Sequence, residues 1–173
     1  NLALLQRILK GKKILLLMPG QSISQYKDEI LKKIEAENLF VITVNFRDET
    51  FDKYSELAFW GSQKRYEHYT DLRKEVTSLI TSNIESDMED DIIVNYDSFV
   101  DRTQEYSDNA SLMLMRILQR VGVVSYYVAG FDGFTVNGSY YNKTDFSEER
   151  FRSQYESINK GVAHQLSMFA DSL

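Results

Sequence analysis

Residues 12–26, KKILLLMPGQSISQY, constrain the fold more than any other stretch of the chain. The apolar run Ile14–Met18 ends at Pro19, the only proline, and Gly20 and Ser22 follow before a helical pattern begins. This order is typical of a buried strand, a tight turn and a helix N-terminus. Because a helix N-terminus presents unpaired N–H groups at the positive end of the helix dipole, the turn suits a phosphate, a carboxylate or a nucleotide.

The following segments predict a βαβ unit. Ser22 and Gln25 have the spacing of a capping box, and apolar residues recur at helical intervals from Tyr26 to Ile34. The apolar run Leu39–Val44 then completes a strand, a helix and a strand within about 35 residues. A crossover of this length joins parallel strands.

Apolar runs continue to alternate with helical segments along the chain. We predict further strands at Leu57–Gly61, Val76–Ile80, Ile92–Tyr96 and Val123–Ala129. We predict helices at Asn109–Val121 and from Ser147 onward, and a hairpin at Asn137-Gly138. The pattern indicates an α/β fold, a single Rossmann-like domain with a mostly parallel sheet and helices on both faces.

Residues 1–173 are interpreted as one domain, since no linker or repeat interrupts them. Residues 1–10 are typical of the end of a preceding helix. We therefore expect a C-terminal fragment of a longer chain, and a processed N-terminus is the alternative.

Composition argues against several functions. The formal net charge of −6 and the lack of a basic block argue against nucleic-acid binding. The absence of cysteine removes disulfides, thiol catalysis and cysteine-bound metals. No apolar run approaches the roughly 20 residues that span a bilayer, and no secretory signal is visible. We expect a cytoplasmic protein with no membrane partner.

Polar residues and glycines follow the predicted strands at the ends where open α/β sheets bind ligands. A small anionic ligand is the expected partner. Turn chemistry and capping are the alternatives for the first loop, a strand-ending turn for Asn45, a solvated helix for Arg65 and an Asx turn for Asp132. The candidate residues from these loops are Pro19, Gly20, Gln21, Ser22, Asn45, Ser62, Arg65, Gly130 and Asp132.

The sequence does not assemble catalytic machinery. It has no recognisable nucleophile with a base and an orienting group, and no paired carboxylates. His68 and His164 have no partner at metal-ligand spacing, and the run Glu89-Asp90-Asp91 is better explained as an acidic surface loop than as a cation site. We assign no catalytic residue and expect no metal within this chain.

Three segments resemble the sialyltransferase-like Rossmann domains, which include bacterial lipooligosaccharide sialyltransferases and 6-hydroxymethylpterin pyrophosphokinase-like proteins. GKKILLLMPGQSI at 11–23 resembles their first strand and loop, and VITVNF at 41–46 resembles their second strand with its final asparagine. SDNASLMLMRILQRVGVVSYYVAGFDGF at 107–134 resembles their small-residue helix, glycine, strand and G-hydrophobic-D segment.

The resemblance implies a ligand and its contacts. The first loop and the asparagine after strand two hold a cytidine nucleotide in the sialyltransferases, which corresponds here to Gly20, Ser22 and Asn45. Asn109 and Ser111 match the region that approaches the nucleotide sugar, and Asp132 matches the aspartate after the late strand. The first loop is less glycine-rich here, and the catalytic histidine of the sialyltransferases has no clear counterpart.

A second resemblance concerns the expected longer chain. Domains like this one are similar to the C-terminal part of bacterial proteins whose N-terminal part resembles the HMG-CoA lyase and 4-hydroxy-2-oxovalerate aldolase barrel. This resemblance implies that lyase chemistry and its divalent metal belong to a preceding part, and that no cofactor lies within this chain.

These observations lead to three hypotheses. The leading one is a nucleotide- or nucleotide-sugar-binding domain of an aldolase-like protein. An autonomous sialyltransferase-like glycosyl- or diphosphotransferase is the second. The third is a non-catalytic module that forms a homodimer through its aromatic final helix.

Overall fold

The computed structural model describes residues 1–103, 109–134 and 153–171. Within these ranges, six strands form one sheet in which every neighbouring pair is parallel. The strands are β1 (Ile14–Leu17), β2 (Phe40–Val44), β3 (Ser55–Trp60), β4 (Thr77–Thr81), β5 (Ile92–Val94) and β6 (Tyr127–Ala129). Their order across the sheet is β5-β4-β3-β2-β1-β6.

The described helices connect and cover these strands. They are α1 (Leu2–Leu9), α2 (Ser22–Gln25), α3 (Lys27–Glu37), α4 (Gln63–His68), α5 (Thr70–Glu75), α6 (Ala110–Arg120) and α7 (Tyr155–Ala170). The fully described links 45–54 and 82–91 join β2 to β3 and β4 to β5 without an α-helix. None of the helices in the described ranges is long and apolar enough to cross a membrane.

Alternating strand residues supply a core on each face of the sheet. Ile14 and Leu16 pack in one core with residues of α1, α6 and α7. Leu15 and Leu17 pack in a second core with Ile23 of α2. A third core, formed by β3, β4 and α4, completes the second face. Helices therefore cover both faces of a parallel sheet, which confirms the predicted fold class.

The strand order changes direction once, at β1. From β1 the chain adds β2, β3, β4 and β5 on one side, and then returns past β1 to place β6 on the other side. Because crossovers between parallel strands are right-handed, this reversal moves α6 to the face opposite α2 and α3. The β1–β6 junction is thus the topological switch point, where open α/β sheets bind ligands.

Some predicted elements have different limits in the structure. The strand predicted at Val123–Ala129 is confined to Tyr127–Ala129, at an edge of the sheet where β1 is its neighbour. The helix predicted after Ser22 breaks at Tyr26, whose backbone leaves the helical region at φ −107° and ψ 24°. The predicted hairpin at Asn137-Gly138 and the helix start at Ser147 lie outside the described residues.

The apolar stripe of α7 packs inside the domain. Tyr155, Ile158 and Phe169 are buried, and Phe169 shares a core with α6. These side chains are therefore unavailable as the homodimer surface that the sequence suggested. The homodimer itself stays a prediction.

A polar cluster ties the edge strand to α3 at the amino end of the sheet. The Glu37 carboxylate accepts hydrogen bonds from Lys33 Nζ at 2.5 Å, Tyr127 Oη at 2.9 Å and Lys13 Nζ at 3.3 Å. These donors lower the pKa of Glu37 from its ordinary value of 4.5 to about 2, with the Lys33 bond as the largest cause.

The depressed pKa of Glu37 predicts a pH-dependent contribution to stability. A carboxylate whose folded pKa is lowered stabilises the fold above its unfolded pKa, and that stabilisation is lost as the pH falls from 4.5 to about 2. We expect the difference in unfolding free energy between the parent and Glu37→Gln to shrink across this window. Urea unfolding at a series of pH values measures it, with exposed Glu49→Gln as the control; a constant difference would contradict the assignment.

Two buried hydroxyls on β4 are expected to have opposite effects on stability. Ser78 Oγ accepts the indole N–H of Trp60 at 3.1 Å, whereas Thr81 Oγ1 is buried without a hydrogen-bond partner among the described residues. An unsatisfied buried polar group costs about 1–3 kcal/mol, so Ser78→Ala should lower the unfolding free energy by about that much. Thr81→Val should raise it by about 1 kcal/mol. Thermal or urea unfolding tests both, and a destabilised Thr81→Val would refute the second expectation.

Candidate functional site

The loops that follow β1 and β6 pack against each other at the switch point. Met18 N–H donates to the Ala129 carbonyl at 2.9 Å, and Gly20 N–H donates to the Gly130 carbonyl at 2.9 Å. The pairing of β1 with β6 thus continues beyond the two strands. It brings the first candidate loop and the last candidate loop together, as the sequence predicted.

Two glycines make this contact possible. A Cβ at Gly130 would lie 2.0 Å from the Met18 carbonyl oxygen, and the backbone there has φ +77°. A Cβ at Gly20 would lie 2.4 Å from the Gly130 oxygen and 2.6 Å from Asp132 Cγ. Both separations are far below van der Waals contact, so the two main chains could not approach this closely with side chains present. Gly20 and Gly130 therefore allow the two loops to pack together, and Pro19 beside Gly20 is buried.

Asp132 bridges the two loops with both carboxylate oxygens. Its Oδ2 accepts the backbone N–H of Ser22 at 2.7 Å, and its Oδ1 accepts the Ser22 hydroxyl at 2.5 Å. Ser22 is therefore not the N-cap of a capping box. Gln21 is the N-cap residue of α2, and its side chain makes no capping bond.

Two of the loop amides proposed for an external anion, those of Gly20 and Ser22, are engaged within the protein. Gly20 N–H is bonded to Gly130 and Ser22 N–H to Asp132, while Ile23 and Ser24 N–H groups bond to the Gly20 and Gln21 carbonyls. The negative charge at this helix start is the chain's own carboxylate. A second anion here would have to displace Asp132 or lie beside its charge.

Asn45 organises the neighbouring strand ends. It lies directly after β2 with φ +56°, a left-handed conformation that asparagine tolerates better than most residues. Its backbone N–H donates to Phe59, and its side-chain Oδ1 accepts the Gly61 N–H at 2.9 Å. This bond orients the amide, so that the Nδ2 donors point away from Gly61.

The N-terminus of α6 lies against the end of β3. A Cβ at Gly61 would be 3.2 Å from the Ala110 Cβ, so the glycine allows the helix to approach. Asn109 is the N-cap residue, and its Oδ1 accepts the Leu112 N–H at 3.1 Å. Ser111 is buried. Asn109 and Ser111 therefore belong to the same edge of the sheet as Asn45.

The remaining candidates at the carboxyl edge of the sheet differ in exposure. Gln21 is exposed, while Ser62 and Arg65 are half-buried at the start of α4. Arg47, which follows Asn45 closely, donates from Nε to Asp52 at 2.6 Å, and this bond raises the pKa of Arg47. Arg47 thus holds the link between β2 and β3, in which Asp52 begins a single 3-10 turn.

A second anchor of the Asp132 loop comes from α7. Asn159 Oδ1 accepts the Phe134 N–H at 2.9 Å, and Asn159 Nδ2 donates to the Phe134 carbonyl at 2.7 Å. The Phe134 ring stacks on Tyr155, with 4.9 Å between centroids. Asn159 is not among the residues that the sequence pattern singled out; its spacing from Tyr155 by one helical turn was the available signal.

The acidic loop 82–91 packs on α4. Tyr66 Oη lies 2.5 Å from Asp91 Oδ2 and 3.0 Å from Asp87 Oδ1. Burial, followed by the Asp91 bond, raises the pKa of Tyr66. Within the described ranges, no three histidine or carboxylate side chains come together as a metal site would require.

Comparison with known proteins gives no further assignment. The chain matches no protein-family model, no curated protein and no solved structure.

Two glycine substitutions test how tightly the loops after β1 and β6 pack, through the unfolding free energy that each one costs. Gly130 and Gly122 both have positive φ, but a Cβ at Gly122 would meet nothing within 4 Å. We expect Gly122→Ala to cost about 1–2 kcal/mol through its backbone conformation. Gly130→Ala should cost about 1–3 kcal/mol more, because it must force the two loops apart. Equal losses in urea unfolding would show that the loops can separate freely.

Proposed function

We propose that the domain binds a nucleotide or nucleotide sugar at the switch point, and that Asp132 recognises hydroxyl groups of the ligand. The observation that carries the proposal is the position of this exposed carboxylate, fixed through Ser22 at the carboxyl edge of a parallel sheet. This edge is the place where open α/β sheets bind such ligands. The resemblance described above suggests the same ligand class.

The bonding capacity of Asp132 supports recognition of hydroxyls. An ionised carboxylate has about four lone-pair sites, and Ser22 occupies two of them. The others can accept hydrogen bonds from the two neighbouring hydroxyls of a ribose, which nucleotides and nucleotide sugars share. Because Ser22 fixes both oxygens, the carboxylate is held in place before the ligand arrives, which reduces the entropy lost on binding.

The phosphate of the ligand is expected away from Asp132, because two negative charges in contact repel. The first turn of α6 offers the positive end of an 11-residue helix beside the end of β3. Asn45, one strand nearer to β1, offers side-chain N–H donors. We therefore place the hydroxyls of the ligand over β1 and β6, and its phosphate towards β2 and β3.

Titration with paired ligands tests this arrangement. CMP, UMP, AMP and their sugar conjugates would be titrated into the protein by calorimetry, followed by the dideoxy analogue of each ligand that binds. Asp132→Asn preserves size and can still accept the Ser22 N–H. A hydrogen bond to a charged group contributes about 1.5–3 kcal/mol, so we expect Asp132→Asn to weaken binding roughly 10- to 100-fold.

The matched controls separate recognition from general charge effects. Asp90→Asn removes an equal charge from the exposed loop 82–91 and should leave affinity unchanged. The dideoxy ligands should bind the parent and Asp132→Asn equally, because the hydroxyls that need the carboxylate are gone. Failure of every ligand to bind, or an equal loss with dideoxy ligands, would refute the proposed function.

A further inference from the structure

The segment 130–134 is attached to the rest of the domain at three successive points. The Gly130 carbonyl accepts the Gly20 N–H, the Asp132 carboxylate is bonded to Ser22, and the Phe134 main chain is bonded to Asn159. The first two attachments lead to the loop after β1. The third leads to α7, on the other side of the segment.

The contact between Asn159 and Phe134 has the geometry of a backbone pair. The side-chain amide of Asn159 accepts from the N–H and donates to the carbonyl of one residue, as a neighbouring strand would. Asn159 also packs on Gly133, where an added Cβ would lie 3.2 Å from Asn159 Oδ1 and φ is +76°. The amide therefore fixes both residues that follow Asp132.

The helix that carries Asn159 is itself firmly placed. Tyr155, one turn earlier, is buried and its ring stacks on Phe134, and Ile158 of the same helix is also buried. Further along α7, Gln165 is buried and its Oε1 lies 3.3 Å from Arg116 Nη2 of α6. A change in how α7 docks can therefore reach the exposed Asp132 through two residues of main chain.

We propose that Asn159 is a positioning residue of the binding site, which sets where Asp132 presents its carboxylate by fixing the main chain of Phe134. The ligand part of this proposal rests on the proposed function, while the positional part concerns the protein alone. By linkage, a ligand that binds the fixed carboxylate also stabilises the docking of α7.

Hydrogen exchange of the whole chain tests the positional part without a ligand. The Ser22 N–H is protected by its bond to Asp132, so Asn159→Ala should accelerate its exchange about fivefold or more. Ile158→Val is the matched control, because it removes packing from α7 and retains the Asn159 amide. An unchanged Ser22 rate in Asn159→Ala, or an equal increase in Ile158→Val, would overturn the proposal.

A double-mutant cycle tests the ligand part. If Asn159 acts through Asp132, Asn159→Ala should weaken binding of the best nucleotide in the parent and have little effect in the Asp132→Asn background. Additive losses would overturn the proposal even if nucleotides bind. If no nucleotide binds but Ser22 exchange responds to Asn159→Ala alone, the proposed function fails and the positioning role of Asn159 stands.

Discussion

The close approach of the β1 and β6 loops is the contact on which the candidate site depends. Gly20 and Gly130 let two main chains meet where side chains would overlap, and a backbone hydrogen bond of 2.9 Å joins them. This approach brings Asp132 within reach of the Ser22 amide and hydroxyl. Without it the loops after β1 and β6 would be separate.

The Asp132 carboxylate at this junction contradicts the simplest interpretation of the first loop. A strand followed by Pro-Gly and a helix start suggests that backbone N–H groups bind an anion from outside. In the folded chain Asp132 supplies the anion, and the amides of Gly20 and Ser22 are already bonded. The carboxyl edge therefore carries a fixed hydrogen-bond acceptor at the ends of β1 and β6, and hydrogen-bond donors at the ends of β2 and β3.

Polar contacts fasten both ends of the sheet. The Glu37 cluster with Lys33 and Tyr127 fastens the edge strand at the amino end. At the carboxyl end, polar contacts fix exposed or half-buried groups such as Asp132 and Asn45. The α7 helix packs in the core and also fastens the Asp132 loop through Asn159.

The sequence by itself determined the elements and the class of the fold. Apolar runs such as Ile14–Met18 and the helical stripe of Asn109–Val121 are local patterns, and local backbone preferences convert them into strands and helices. Turn residues also placed Gly20, Asn45 and Asp132 at strand ends. Each of these inferences needs only residues close together in the chain.

Tertiary structure alone decided which of those residues meet. Ser22 and Asp132 are 110 positions apart, and their contact exists because β6 lies beside β1 instead of extending the sheet beyond β5. The contacts of Gly61 with Ala110 and of Asn159 with Phe134 likewise depend on how helices dock. Strand order and helix docking depend on the apolar surface that the whole chain buries. No local sequence pattern specifies that total.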